Sequence, residues 1–245
     1  MSAPRRPSRI LAARYLDCLV GDAGGLLLLL AQAPLIGWLC AVVWGSVEQD
    51  TPSLYFVLCL AAVWFGCINA CREIVKERAI LERERLFGLR PVDYVISKVW
   101  VLAAVGAAQV VLLQGTVEWH LQLRGPMGPE LMALFGASVA GTGLGLLISA
   151  LSTTQERAVF AVPLLLLPQI LFSELAMPDT LQSDVVAGVE KAMPVHWAFR
   201  VFEESASLEP RWHLVALFLV VLFAMAAALV GAATAALLPR REVVT

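Results

Sequence analysis

Six stretches of this chain contain no Asp, Glu, Lys or Arg: residues 23–47, 51–71, 99–117, 131–155, 158–173 and 212–239. A backbone that enters hydrocarbon must satisfy its N–H and C=O groups internally, so apolar runs of roughly 20 residues fold as bilayer-spanning helices. With 59% of residues hydrophobic and 16% charged, and a mean hydropathy of +0.77, too little polar surface exists to cover a water-facing domain. The expected fold is an all-α integral membrane protein with six transmembrane helices. The fifth run has 16 residues and contains Pro163 and Pro168, so a bent or incomplete span is expected there.

Six spans place both termini on one side, and the basic residues choose the side. Fourteen of the eighteen Lys and Arg residues fall before 23, within 72–98, at Arg157 or at the C-terminal Arg240 and Arg241, against Arg124, Lys191, Arg200 and Arg211 on the other face. Basic residues concentrate in the cytoplasm, so both termini and the 72–98 loop are expected there. The opening MSAPRRPSRILAARYLDCLV has its apolar residues interrupted by Arg14 and Asp17 and ends in no small-residue cleavage site. Ile10, Leu11, Tyr15 and Leu19 lie near helical spacing, which suits a helix over residues 1–22 along the inner membrane surface.

Several chemistries lack their residues. No uncharged run holds a carboxylate, and only His213 enters one, at its outer end, whereas proton carriers need ionisable groups at depth. None of Lys76, Lys98 and Lys191 follows a glycine, so no G-x-x-x-x-G-K-[ST] phosphate loop exists and the chain itself binds no ATP by that means. Neither G-x-S-x-G nor H-E-x-x-H occurs. Cys18, Cys40, Cys59, Cys67 and Cys71 sit in or beside spans with no metal-ligand spacing, and no metal site is expected. His120, His196 and His213 lie close to Trp119, Trp197 and Trp212, side chains suited to the outer interface.

The charge is concentrated in one segment. Asn69–Lys98 carries twelve charged residues of both signs. Arg78 with Glu82, Glu73 with Lys76 and Glu82 with Arg85 stand three or four residues apart, Gly88 suits a helix end, and Pro91 cannot continue the same helix. Mixed signs suit a protein partner better than anionic lipid. From its residues alone the segment is either such a docking element or a solvated loop that sets topology.

The pattern REIVKERAILERERLFGLRPVDYVISKV resembles the loop between the second and third spans of G-subfamily-like ABC exporter permeases, the type 2 ABC exporter transmembrane domain. Glu77, Leu81, Arg83, Glu84, Arg85, Gly88, Tyr94, Ser97 and Lys98 fit that family's pattern. LLLLLAQAPLIGWL, GLGLLISALSTTQERA and PLLLLPQILFSELAMP extend the resemblance over nearly the whole chain.

The resemblance implies a single domain over 1–245. Its parts are a connecting helix at 1–22, spans at the six runs, a coupling loop at 72–98 and a re-entrant external segment at 174–211. It implies that Glu73, Glu77, Arg78, Glu82, Arg83, Glu84 and Arg85 dock on an ATP-binding subunit, that Gly88 lets the chain turn and that Tyr94 anchors the return. It further implies a homodimer or related heterodimer served by two copies of a separate ATPase. ATP and Mg would be bound on that partner and no cofactor on this chain. The setting would be the cell inner membrane, with both termini cytoplasmic. Spans two and five would line the central path, which places Phe56, Phe65, Asn69, Leu166, Gln169 and Phe172 near the cargo. Apolar walls with few polar groups suit an amphipathic or lipid-like cargo. Two alternatives stay open: a permease-like subunit of an ATPase-driven signalling or mechanical complex without cargo, and an intramembrane enzyme.

Small residues recur at four-residue spacing as Ala137, Gly141, Gly145 and Ser149, and again as Ala227, Gly231 and Ala235. Such strips let helices approach closely in lipid, and both are expected to pack within the chain. Between Pro178 and Pro194 the sequence reads as one short amphipathic helix.

Overall fold

The computed structural model describes residues 7–46, 52–121, 123–173, 175 and 184–238. Arg5, Arg6, Arg240, Arg241 and Pro178, on which some of the expectations above rest, lie outside them. Among the described residues the chain is helical throughout, with no strand. In order come α1 (Pro7–Gly21), α2 (Ala23–Trp44), α3 (Pro52–Ala70), a single 3-10 turn (Val75–Glu77), α4 (Arg78–Leu86), α5 (Pro91–Leu121), α6 (Met127–Leu151), α7 (Gln155–Leu171), α8 (Asp184–Lys191), α9 (Pro194–Ser205) and α10 (Trp212–Ala236).

Among the described residues five helices are long and apolar enough to cross a membrane: α2, α3 with the turns that continue it, α5, α6 and α10. The fifth uncharged run forms α7, which is 17 residues long and holds both Pro163 and Pro168. Its start is set by Thr154, whose Oγ1 accepts from the Arg157 amide at 3.3 Å, one of the orphan donors of a helix N-terminus. Asp22 plays the same part for α2, accepting from Gly25 N at 3.1 Å.

The core is built where α6 passes between α3 and α10. A Cβ added to Gly66 of α3 would stand 1.9 Å from the Ser138 carbonyl oxygen, and one added to Gly141 of α6 would stand 2.2 Å from that of Val63. Backbones this close leave room only for glycine. The other face of α6 is notched by Gly136 and Gly143, which receive Leu222 and Leu229 of α10. Thus the strip through Gly141 and Gly145 packs within the chain. The α10 strip does not: Ala227, Gly231 and Ala235 are exposed, and a Cβ on Gly231 would meet nothing. The phase of α10 is set by Val215, Leu222, Ala226 and Ala233, which turn inward instead.

The described part of the 174–211 segment holds more structure than the single amphipathic helix expected. Besides α8 it forms α9, whose Val195, Phe199, Val201 and Phe202 are buried. Phe202 meets the Tyr55 ring at 5.4 Å between centroids and Phe199 meets Phe56 at 6.3 Å, so α9 plugs the α3–α6 core at the end where α3 begins.

Candidate functional site

α3 stops at Ala70 and the chain turns across the C-terminal end of α6. The Ile74 and Val75 amides both donate to Ser149 Oγ, at 2.9 and 3.0 Å. That single hydroxyl satisfies two donors freed by the break in the helix. Glu73 is buried by the turn and ion-pairs with Lys76. Lys98, reaching back from α5, lies 3.3 Å from Glu73 Oε2 and 2.8 Å from Glu77 Oε1. Tyr94 completes the set by donating to Glu77 Oε2 at 3.0 Å. Two lysines and two glutamates therefore balance, which is what allows charge to sit out of water.

The aromatic lid over this cluster comes from α1. Tyr15 is buried, and the Lys98 ammonium lies 3.7 Å from the centre of its ring. Burial, followed by the charge of Glu73, raises the Tyr15 phenol well above its usual range, so it stays protonated. Two further ties run outward: Arg78 donates to the Ala150 carbonyl at 2.7 Å, and Arg14 of α1 pairs with Glu84 of α4 at 2.8 Å.

α4 ends in a Schellman closure, Leu89 N to Glu84 O at 3.2 Å and Gly88 N to Arg85 O at 3.0 Å, which needs the left-handed residue that Gly88 supplies at φ +92°. Just before it, Leu86 and Phe87 are each 87% exposed. The residues expected to form the ATPase-coupling surface thus fall into two groups. Glu73, Glu77, Arg78 and Tyr94 have their polar atoms engaged within the chain, whereas Glu82 and Arg83 are exposed beside the Leu86–Phe87 tip, and Glu84 and Arg85 are half-buried. Leu81 faces inward and is buried. The residues expected as mere pattern matches, Ser97 and Lys98, are buried, and Lys98 is the centre of the cluster. Its place in the S-K pair was the sequence signal; Tyr15 and Ser149 gave none, because both come from elements distant in the chain.

The six residues expected along the substrate path separate likewise. Phe56, Gln169 and Phe172 meet in one cleft with Ser173, Glu190 and His196. The cleft holds only about 10 Å³, roughly the room of one water, so it is closed. Phe65 and Leu166 are buried in the apolar core. Asn69 donates to Gln109 Oε1 at 2.7 Å, and Gln109 donates to the Leu29 carbonyl at 2.8 Å, a polar chain that ties α3, α5 and α2.

The helices outrun the uncharged runs, so α6 begins at Met127 and carries Glu130 in its first turn. Glu130 is fully buried and accepts from Gln114 Nε2 at 2.8 Å. A carboxylate therefore does lie within a spanning helix, near its N-terminal end.

Comparison with known proteins agrees with this architecture. A family model described as ABC-2 type transporter matches residues 8–206. An ABC transporter ATP-binding/permease protein of Mycobacterium tuberculosis is 26% identical over 219 residues, a match that covers 81% of this chain and 25% of that protein. The chain thus spans about a quarter of the length of the curated relative it matches.

Proposed function

We infer that this chain, which belongs to the ABC-2 type transporter family, is the permease of an ABC exporter and takes up the motion of an ATP-binding component through α4. ABC-2 domains are the membrane components of ABC transporters, work with ATP-binding components and are not themselves catalytic. The observation that carries the coupling reading is the tip of α4: Leu86 and Phe87 are exposed while α4 and the turn before it are tied to α1, α5 and α6. An apolar tip on a braced element suits a partner's pocket. Exposed Glu82 and Arg83 would set its register.

The proposal has further parts. α7 acts as a short sixth membrane segment, both termini face the cytoplasm, and the chain sits in the inner membrane as one half of a homodimer or related heterodimer. Two ATPase copies carry ATP and Mg. The closed cleft of Phe56, Gln169 and Phe172 opens for an amphipathic cargo. The ATPase is placed on a separate polypeptide; the mycobacterial relative, by its name, joins both parts in one protein.

The test is a pull-down of the tagged protein from its native membrane, beside a Leu86→Asp, Phe87→Asp variant. Recovery of a separate ATP-binding protein with the native chain, and its loss with the membrane-inserted variant, is the expected result. An ATPase retained by the variant would remove α4 as the dock. If none comes down even after crosslinking, the partner reading falls.

A further inference from the structure

On the face opposite the coupling element, α8, α9 and α10 enclose a chamber of about 680 Å³, within the range of small-molecule sites, about 300–1,000 Å³. Its wall is charged in both signs. Arg200 pairs with Glu203 and Arg211 with Glu204, each at 2.8 Å, and His196 Nδ1 lies 3.2 Å from Glu190. Lys191 also lines the chamber, is exposed and has no carboxylate within ion-pair distance among the described residues. Trp197 and Phe218, in ring contact at 5.9 Å, add an apolar wall.

A second cavity lies further along the same face of α10. Lys191 lines the chamber, and the next residues, Ala192 and Met193, line an apolar groove of about 260 Å³ with Leu144, Leu165, Met225 and Leu229. The α10 residues of both cavities, Leu214 and Phe218 above and Met225 and Leu229 below, are spaced by four, seven and four, which keeps them on one face of the helix. Eleven residues separate Phe218 from Leu229, roughly 16 Å of helix rise, close to the half-thickness of a bilayer's hydrocarbon core.

We propose that chamber and groove form one binding site for a zwitterionic phospholipid of the outer leaflet, its headgroup in the chamber and one acyl chain in the groove. Lys191 takes the phosphate, and the carboxylates of Glu203 and Glu190 face the amine. A free water-soluble zwitterion would use the chamber and leave the groove empty; the placement of both cavities along one face of α10, about half a hydrocarbon core apart, favours the lipid. The site runs along α10 and borders the Phe56–Phe172 cleft: Glu190 and His196 line both chamber and cleft, and Gln169 and Met193 line both groove and cleft. The assignment to the outer leaflet rests on the orientation proposed above.

The experiment reconstitutes the full chain in phosphatidylcholine vesicles doped with a phosphatidylethanolamine that carries a diazirine in one acyl chain. Adduct positions are read by peptide mass spectrometry after illumination. Adducts on Leu165, Met225 or Leu229 should exceed those on Leu27 and Leu28, which are exposed on α2. Filling the groove with Leu229→Trp, or reversing the anchor with Lys191→Glu, should lower groove adducts about tenfold, with α2 adducts unchanged. Equal labelling of groove and α2 overturns the site. Groove adducts that survive Lys191→Glu overturn the headgroup assignment. In parallel, Leu208→Cys, fully exposed beyond α9, is treated with an impermeant maleimide in whole cells. Labelling only after permeabilisation would overturn the orientation, and with it the outer leaflet, independently of the lipid adducts.

Discussion

The Lys98 ammonium lies 3.7 Å from the centre of the Tyr15 ring, so a residue near the start of the chain covers a buried charge supplied by the third spanning helix. A cation over an aromatic face gains about 2 kcal/mol when water is excluded. Here it also joins α1 to the element that follows α3, because Lys98 holds Glu73 and Glu77 at the same time.

Removing Lys98 leaves two carboxylates with less compensation than their burial requires. Lys98→Met is expected to cost on the order of 3 kcal/mol, toward the low end for a broken buried pair, because Lys76 still reaches Glu73. Thermal unfolding of the detergent-purified protein measures it. Adding Glu73→Gln to Lys98→Met should recover part of the loss; a further fall would contradict the charge-balance account.

The pair between Arg14 and Glu84 behaves differently, since its side chains are 51% and 27% exposed. Breaking it costs no more than about 1 kcal/mol and less in high salt. The double reversal Glu84→Lys, Arg85→Glu should therefore leave membrane insertion and unfolding temperature nearly unchanged. If it nonetheless uncouples ATP hydrolysis from transport, the effect reports docking. Undiminished transport would take both residues out of the coupling surface.

Gly88 holds φ +92° with open space around its Cβ direction. Gly88→Ala thus meets no neighbour and pays only the left-handed backbone cost, about 1–2 kcal/mol. A larger loss in an unfolding measurement would mean that the turn is held by contacts as well as by conformation.

Close backbone contact makes the opposite case at Gly66, where a Cβ would stand 1.9 Å from the Ser138 oxygen. Gly66→Ala is expected to separate α3 from α6 at a cost of about 3 kcal/mol, seen as a loss of monodisperse protein in size-exclusion chromatography. Gly231→Ala, in open space, is the control that should elute as the native chain does.

Glu204 supplies a pH dependence. The hydrogen bonds from Arg211 hold its carboxyl below the usual range. The folded form therefore gains from this group above the unfolded value of about 4.3 and loses the gain as pH falls below it. The difference in unfolding temperature between native protein and Glu204→Gln should stay constant above that pH and narrow beneath it. A difference that grows on acidification would reverse the sign of the linkage.

How far the sequence could be read follows from what kind of information each feature needs. Membrane location and helical class were legible because hydrocarbon admits no other use for such apolar runs. The turn at Gly88 and the stop before Pro91 were legible because backbone chemistry is local, whereas the break between Ala70 and Arg78 was not, because the charge pairs there read as one helix over 69–87. α9 was missed because its apolar and polar residues share one short segment among acidic neighbours, and only Tyr55 and Phe56 across the bundle make it core.

Over residues 69–98, the order of amino acids establishes which side chains carry charge and where the chain turns at Gly88. Which of those charges face outward follows from packing alone. Glu73 and Glu82 look alike in sequence, yet Glu73 is buried against Lys98 and Glu82 is exposed. Likewise Gly141 and Gly231 sit in similar strips, yet one meets a backbone and the other open space. The difference is rotational phase: spacing along a helix establishes which residues share a face, but the direction of that face depends on the neighbours against which the whole helix packs.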